Sequence, residues 1–486
     1  MTNSRRLQIT LLALVGTFLF TNIGWAQTLR DNIGWTQLRA EIGAALEDGS
    51  GIIASQVEAR VTNEDTGDIA YLPSTTNGNF SGKTFYDGSG FNTGFTGHAT
   101  SVGQRLYGTS TTGISGGISD ITGFDADDWL NRVTGLASGG DPLAQVNGAG
   151  QTFDVQNHSY ISNGNGDAVA TDVLNRVDFL VNRDNTTIVV GANNGSGNIT
   201  PELLAHGYNS ITVGRTDGNH SRGATRFNGT GRYKPEIVAP QTATSFSTPV
   251  VAGAAAILRE AGAGTNAVQN EAVKAILLAG ATKDEFGDAF DGPSDPSQPL
   301  HEVYGVGELN VYNSYKILQG GEQTGSAASP VIISDNQGFD YEENLESGES
   351  LYYNFDLADG ASEVSVALTW NLLVEDLDSS ADVFDAETTL NDLDLAFYDS
   401  TGSFLGSLLD SSISTVDNVE HLFLRDLDAG LYTLEVSRKS GFTGDQDFAV
   451  AFTIAVPEPG SALVLILGSM GLVLRRRSRP HHESAS

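Results

Sequence analysis

The spacing of apolar residues changes at about residue 320, and this change constrains the fold more than any other feature of the sequence. Between about 50 and 315, short β-branched runs such as 188–190 and 211–213 alternate with helical segments such as 168–181 and 250–259. That alternation predicts an α/β domain built on a largely parallel sheet. We assign this domain to residues 27–319.

After residue 320 the pattern has a period of two. Residues 320–330 are rich in Gly, Ser, Ala and Gln, which is typical of a linker. Apolar and polar residues then alternate in short segments separated by turn residues, which predicts a small β-sandwich over residues 331–455. The clearest alternating segments are 364–370, 393–397, 431–436 and 448–452.

Charge and cysteine content exclude several classes of function. The chain has 60 acidic and 26 basic residues, so its formal net charge is −34. A surface this acidic repels phosphate backbones, and we therefore expect no nucleic-acid partner. The chain has no cysteine, which excludes disulfides, thiol nucleophiles, thiolate zinc sites and iron–sulfur clusters.

The N-terminus has the organisation of a secretory signal peptide, which we assign to residues 1–26. Arg5 and Arg6 precede an apolar run that ends near Phe20, and Gly24-Trp25-Ala26 has the small-x-small form of a cleavage site. A retained N-terminal anchor is the alternative.

The C-terminus, residues 456–479, combines three features. Pro457-Glu458-Pro459 is followed by the uncharged stretch 460–474 and by three arginines, 475–477. The apolar stretch is short for a membrane span, which usually needs about 20 residues. Together these features resemble the PEP-CTERM sorting signal, which implies processing by an exosortase-type enzyme and delivery to the cell envelope or extracellular matrix. A plain membrane anchor is the alternative, and both interpretations give the protein a membrane contact through this segment.

The strongest local feature surrounds Ser245. Pro249 stands where a helix could start, because its missing N–H costs nothing in the first turn, and the residues after it are apolar. We therefore expect Ser245 just ahead of this helix or in its first turn, near the positive end of the helix dipole. Negative charge that develops during acyl transfer is stabilised at such a position. An ordinary strand–turn–helix segment is the alternative.

The segment Ala243–Gly253 resembles the nucleophile motif of the subtilases, Gly-Thr-Ser-x-Ala-Thr-Pro-x-Val-Ala-Gly. Two further segments, 234–240 and 304–310, resemble the Lys-Pro-Asp-Ile-Val-Ala-Pro and closing glycine-turn motifs of that family. The resemblance implies a subtilisin-like three-layer α/β domain followed by the small β-sandwich often appended to secreted subtilases. It also implies a serine endopeptidase that acts on proteins or peptides.

Two more motifs match the same family. Gly97-His98-Ala99-Thr100-Ser101-Val102-Gly103 resembles the segment that carries the general base, which implies this role for His98. Gly191-Ala192-Asn193-Asn194-Gly195 resembles Ala-Gly-Asn-x-Gly, which implies that the amide of Asn193 donates to the oxyanion. Taken alone, the second segment favours an ordinary Asn-Gly turn; the presence of the Ser245 motif favours the amide role.

Asn157-His158-Ser159 resembles the Asn-x-Ser segment that lines the substrate cleft of subtilases. The resemblance implies substrate-binding roles for Asn157 and Ser159, since the bound peptide pairs with this segment as an added strand. His158 occupies a position of variable identity and receives no role.

The acid that orients the histidine has two candidates. Residues 52–57 form a hydrophobic strand pattern that ends in Glu58, whereas Asp65 has the Asp-Thr-Gly letters of the family but follows a polar stretch. A rigid buried strand is needed to hold the imidazole tautomer, so we choose Glu58. Because His98 and Asn193 are both present, a sedolisin-like Ser-Glu-Asp site is disfavoured.

The resemblance requires no cofactor for the chemistry, and we assign no metal ligands. Secreted subtilases without disulfides often bind structural calcium, and Asp120, Asp125, Asp127 and Asp128 form one acidic loop. An alternative function is a non-catalytic cell-surface binding protein on a decayed subtilase scaffold. A shortened loop before Ser245 and the absence of an aspartate orienter favour it, whereas the retained Ser, His and Asn oppose it.

Overall fold

The computed structural model describes residues 28–456, apart from 64–65, 164–165, 197–201, 290–294, 329–331, 379, 401, 403 and 443. The predicted signal peptide and all but the first residue of the predicted sorting segment therefore lie outside the described residues. Within the described part of the chain, no helix is both long enough and apolar enough to span a bilayer.

The first part of the chain is built on one seven-stranded sheet. Its strands, together with two small hairpin pairs, are β1 (Ile53–Glu58), β2 (Val61–Thr62), β3 (Ile69–Ala70), β4 (Thr84–Asp87), β5 (Asp120–Asp125), β6 (Val155–His158), β7 (Thr187–Gly191), β8 (Ile211–Arg215), β9 (Gly223–Ala224), β10 (Tyr233–Lys234) and β11 (Ile237–Ala239). The order across the sheet is β11–β8–β7–β6–β1–β5–β4. Every neighbouring pair in it is parallel.

Helices cover both faces of this sheet, so the domain has three layers. The α-helices are α1 (Leu29–Asn32), α2 (Trp35–Ile42), α3 (Gly97–Leu106), α4 (Ala126–Asp128), α5 (Asp167–Asp184), α6 (Thr244–Ala261), α7 (Asn270–Ala279) and α8 (Val311–Gly320). A π-helical turn, Trp129–Val133, follows α4. Short 3₁₀ turns occur at Gly43–Ala45, Gly78–Phe80, Leu203–His206, Asn266–Val268 and Asp284–Ala289.

Strand β7 shows why this part of the sequence folds as a buried parallel sheet. All five of its residues are buried. Val189 packs with the apolar residues of α6 and α7, while Ile188 and Val190 pack with those of α5 on the opposite face. Side chains alternate across a strand, so a strand covered on both faces needs a continuous apolar run. The predicted α/β fold with a parallel sheet is confirmed.

The remainder of the chain forms two antiparallel layers. Its strands are β12 (Ile332–Ile333), β13 (Gln337–Leu345), β14 (Ser350–Leu357), β15 (Ala361–Trp370), β16 (Leu373–Asp376), β17 (Ala386–Thr389), β18 (Leu393–Asp399), β19 (Ser407–Ser412), β20 (Val419–Leu427), β21 (Gly430–Arg438) and β22 (Gln446–Ala455). One sheet has the order β12–β14–β21–β18–β19 and the other β13–β22–β15–β20. Only β12 and β14 pair in parallel within these two sheets. The hairpin β16–β17 stands apart from both.

The two faces of the four-stranded sheet bury different side chains. On β22, Phe448, Val450 and Phe452 point into the core between the sheets, whereas Ala449 and Ala451 join the core formed with α7 and α8. Small alanine side chains let helix and sheet approach closely. Alternate residues of the period-two pattern on β22 therefore pack into two separate cores.

The predicted linker lies against the sandwich. Within it, the N–H of Gln323 donates to the carbonyl of Phe339 (2.6 Å), and Ser326 exchanges backbone hydrogen bonds with Tyr352 (3.1 and 3.0 Å). This segment is therefore held by backbone pairing with the strands that follow it.

Candidate active site

The candidate site lies where the carboxyl ends of neighbouring parallel strands meet. Glu58 is the last residue of β1, and Asn193 follows the end of β7 by two residues. Strand β6 lies between these two strands and ends at His158, directly before Ser159. Side chains at the carboxyl ends of parallel strands share one edge of the sheet, which is where open α/β sheets bind ligands.

Helix α6 brings Ser245 to this edge. The helix begins at Thr244, five residues before Pro249, so Ser245 lies in its first turn. The expectation that Pro249 starts the helix was wrong, because Pro249 lies inside the helix, after its first turn. The N–H of Thr244 donates to Oδ1 of Asn194 (2.9 Å), which satisfies one free donor at the helix start.

His98 is the second residue of α3 and contacts Glu58. Nδ1 of His98 lies 2.6 Å from Oε2 of Glu58. The imidazole is 44% exposed while the carboxylate is 1% exposed, so one end of the pair faces solvent and the other is rigidly enclosed. The tautomer that donates from Nδ1 leaves Nε2 as the basic nitrogen.

The carboxylate of Glu58 is held on both oxygens. Nε2 of Gln56 donates to its Oε1 (2.8 Å) and also to the carbonyl of Ala99 in α3 (2.9 Å). The hydroxyl of Tyr107 donates to Oε1 of Gln56 (2.5 Å), which fixes the amide. Sequence reasoning missed Gln56 and Tyr107; the polar Gln56 inside an apolar strand was the available signal.

Protonation of the pair follows from burial and contact. Burial raises the pKa of Glu58, and its hydrogen bonds with His98 and Gln56 act in the opposite direction. The hydrogen bond with Glu58 raises the pKa of His98 above its ordinary value, against the effect of partial burial. The imidazolium is therefore stabilised relative to a free histidine.

Phe246 connects the histidine to the serine. Its ring stacks with that of His98 at a centroid separation of 6.0 Å and an interplanar angle of 28°. The guanidinium of Arg105, also on α3, lies 3.9 Å from the centroid of the same ring. Since Phe246 directly follows Ser245, this packing places the starts of α3 and α6 side by side.

Residues 70–307 match the family model of the subtilases. This part of the chain is therefore similar to the subtilase family. The match includes His98, Asn193 and Ser245, whereas β1 and Glu58 precede it.

Two solved structures are similar to the chain. A protease of Pseudoalteromonas arctica shares 13% identity with a TM-score of 0.35, over 56% of this chain and 91% of that chain. A chain from the subtilase cytotoxin SubAB assembly shares 15% identity with a TM-score of 0.38, over 60% of this chain and 96% of that chain. No curated protein sequence matches the chain. The fold assignment rests on the sheet topology given above.

A small pocket of about 100 Å³ adjoins Ser245. Its walls come from the end of β6, the end of β7 and the start of α6. The lining residues are Ser159, Tyr160, Ile161, Gly191, Ala192, Asn193, Asn194, Thr244 and Ser245. The structure thus brings Asn193, Ser159 and Ser245 together in one pocket.

Asn193 is anchored on both its backbone and its side chain. Its N–H donates to Oγ of Ser221 (2.9 Å), and its carbonyl accepts from the N–H of Ser221 (2.8 Å). Its Nδ2 donates to Oε1 of Glu202 (3.2 Å). The side-chain amide therefore has a carboxylate partner, which the sequence did not indicate.

Asn157 differs from its expected position. Its side chain is completely buried and donates from Nδ2 to Oγ of Ser159 (2.9 Å). A buried amide in this place contacts protein rather than a bound peptide. The alternative orienting acid, Asp65, lies outside the described residues.

His158 takes no part in the site. Its ring packs edge-on against Trp129 with centroids 4.5 Å apart and is completely buried. Burial lowers its pKa to about 3, so the ring is neutral. It points away from α6, on the face of the sheet that carries the α5 core.

Two carboxylates of the acidic loop, to which no metal ligands were assigned, have arginine partners. Both oxygens of Asp125 accept from Arg60, and Asp125 also caps α4. Asp128 accepts from Arg132 at 2.9 and 2.7 Å. Arginines already neutralise these carboxylates, and the described residues contain no group of three or more His, Cys, Asp or Glu side chains able to hold a metal ion.

Proposed function

We propose that the protein is an exported subtilisin-like serine endopeptidase. The observation that carries this proposal is the contact between Nδ1 of His98 and Oε2 of Glu58, beside a helix start that presents Ser245 to a pocket. Base, orienting acid and nucleophile are the three roles that an acyl-transfer site needs. The substrate is a protein or peptide, and no cofactor is required.

The chemistry follows from these positions. Oγ of Ser245 attacks the scissile carbonyl carbon while Nε2 of His98 takes the hydroxyl proton. His98 then returns that proton to the departing amine, and water hydrolyses the resulting acyl-enzyme by the same route. Glu58 holds the imidazole tautomer and stabilises the imidazolium as it forms.

The oxyanion is stabilised by the amide of Asn193 and by a backbone N–H at the start of α6. Asn193 lines the same pocket as Ser245. Its amide donates to Glu202 at 3.2 Å, a contact that a bound carbonyl oxygen would replace. Preorganised donors aimed at developing charge supply a large part of the rate in such sites.

The experiment for this function is covalent labelling with a fluorophosphonate probe. The wild-type chain is expected to label at one site and to hydrolyse a denatured protein substrate. Ser245→Ala is expected to lose both activities while its thermal unfolding temperature stays unchanged, because the hydroxyl makes no described hydrogen bond. Thr242→Ala removes an exposed hydroxyl three residues away and serves as the matched control.

A folded wild-type chain that neither labels nor cleaves would favour the non-catalytic binding protein instead. Equal labelling of Ser245→Ala and wild type would assign the nucleophile to another residue.

We also propose that the tail sorts this enzyme to the cell envelope or extracellular matrix, with an exosortase-type enzyme as partner. Positive residues resist translocation, so the three arginines at 475–477 would halt export at the apolar stretch 460–474. Strand β22 ends at Ala455, so a chain truncated after Val456 loses no described strand. In the host, the truncated form is expected in the medium and the full chain in the envelope or matrix fraction. Identical fractionation of the two forms would contradict the sorting role.

A further inference from the structure

The first turn of α6 has one carbonyl that the helix itself cannot satisfy. In an α-helix the carbonyl of residue i accepts from the N–H of residue i+4. For Ser245 that residue is Pro249, which has no N–H. The carbonyl of the nucleophile therefore needs a donor from outside the helix.

Neighbouring carbonyls in this turn have partners within their own segment. The carbonyl of Ala243 accepts from the N–H groups of Phe246 (2.9 Å) and Ser247 (3.0 Å). The carbonyl of Thr244 accepts from Oγ1 of Thr248 (2.8 Å). The Ser245 carbonyl is thus the exception, and it is part of the backbone that positions Oγ.

Ser159 supplies the missing donor. Its Oγ lies 3.0 Å from the carbonyl oxygen of Ser245, 86 positions along the chain. A serine hydroxyl has one proton to donate. Nδ2 of Asn157 donates to the same Oγ (2.9 Å), so the hydroxyl accepts from Asn157 and directs its proton at Ser245.

The chain of donors is rigid. Asn157 is 0% exposed and Ser159 3% exposed, so water does not compete for either side chain. Asn157 belongs to β6, a central strand of the parallel sheet, which has little freedom to move. Two hydrogen bonds, from Asn157 to Ser159 and from Ser159 to the Ser245 carbonyl, therefore fix the Ser245 backbone relative to the sheet.

We propose that Ser159 is a positioning residue, which holds the backbone of Ser245 so that its Oγ stays aligned with His98. This inference rests on the proposed protease function and extends it. Because its proton is already committed, Ser159 offers a bound peptide its backbone and the surface of its side chain, and no donated hydroxyl hydrogen bond. Asn157 acts one step further back by orienting that hydroxyl.

The first test separates positioning from substrate binding. In Ser159→Ala the Ser245 carbonyl loses its donor, and a displacement of about 1 Å at a nucleophile costs on the order of 10²-fold in rate. We expect kcat and the fluorophosphonate labelling rate to fall by about ten- to a hundredfold, with KM nearly unchanged. A rise in KM at constant kcat would show that Ser159 binds substrate and would overturn the proposal.

The second test restores the missing donor by another route. Pro249→Ala adds an N–H at the position that normally bonds to the Ser245 carbonyl. The double variant Ser159→Ala/Pro249→Ala is expected to recover most of the lost rate, and Pro249→Ala alone is expected to behave like wild type. Failure of the double variant to recover kcat would contradict the proposal that Ser159 positions the Ser245 backbone.

A readout independent of catalysis distinguishes failure of this inference from failure of the proposed function. Amide hydrogen exchange in the first turn of α6 is expected to be faster in Ser159→Ala and to return towards the wild-type rate in the double variant. If exchange behaves this way in a chain that does not label, the positioning contact stands and the protease assignment fails. If exchange and labelling are both unchanged in Ser159→Ala, the positioning proposal is wrong.

Discussion

At the residue scale, the carboxylate of Glu58 controls how the histidine titrates. The side chain is buried at the end of a strand, with one oxygen bonded by Gln56 and the other by His98. Glutamate is one methylene longer than the aspartate usual in this family, and the pair still meets at 2.6 Å. The hydrogen bond raises the pKa of His98, so the imidazole loses its proton at a higher pH than a free histidine.

This shift has a testable consequence for activity. The neutral imidazole is the base, so kcat/KM should fall as the pH drops through the raised pKa of His98, which lies above about 6.5. Glu58→Gln removes the negative partner; the acid limb should then move to lower pH, and kcat should fall by about 10⁴-fold, the scale for an amide orienter in a serine triad. The pH profile of kcat/KM measures both effects. An acid limb that stays in place in Glu58→Gln would exclude Glu58 as the orienting acid.

At the element scale, the loop after β7 performs two different tasks with adjacent asparagines. Asn194 accepts from the N–H of Thr244 and so ties the end of β7 to the start of α6. Asn193 lines the pocket with its amide and is anchored by Ser221. Because the proposed role of Asn193 is in the chemistry whereas Asn194 holds the helix start, substitutions of the two residues should have different effects.

Two alanine substitutions test this division. Asn193→Ala should lower kcat by about 10²–10³-fold, the scale for loss of one oxyanion donor, with little change in unfolding temperature. Asn194→Ala should lower the free energy of unfolding by about 1 kcal/mol, as removal of a helix cap does. Steady-state kinetics and chemical denaturation measure the two effects. A rate loss confined to Asn194→Ala would reassign the oxyanion donor.

At the scale of the whole molecule, the α/β domain and the sandwich share a core. All ten residues of α7 are buried, and one side of this helix packs against β15 and β22 of the sandwich. Polar contacts cross the same interface: Nδ2 of Asn371 donates to Oε1 of Glu271 (2.6 Å), and Nζ of Lys283 donates to Oγ of Ser365 (3.0 Å). The sandwich therefore covers the outer side of α7, a helix of the domain that carries the site.

A matched pair of truncations tests this dependence. A chain that ends at Gly320 would expose the apolar side of α7 and remove Ser365 from Lys283 and Asn371 from Glu271, so we expect it to aggregate and not to label. A chain that ends at Val456 keeps every described strand and should unfold in a single calorimetric transition, as expected for one shared core. A soluble, labelling chain ending at Gly320 would show that the sandwich is dispensable.

The sequence by itself determined the features that depend on local pattern. Apolar periodicity predicted both sheet types, because continuous β-branched runs favour a parallel sheet covered by helices and a period of two favours antiparallel strands. Strand context favours Glu58 over Asp65, and Glu58 contacts His98 in the structure. The motifs around His98, Asn193 and Ser245 are contiguous segments, so they can be recognised in the sequence without knowledge of the fold.

Only the tertiary structure decided where the partners of these residues come from. The start of α6 at Thr244, the donor from Ser159 to the Ser245 carbonyl, the burial of Asn157 and the contact between Asn193 and Glu202 all join distant parts of the chain. The same holds for the alanine faces of the sandwich, which pack on α7 rather than facing solvent. Local propensity specifies which segments become strands or helices, whereas hydrogen-bond partners and buried faces depend on which elements the fold brings side by side.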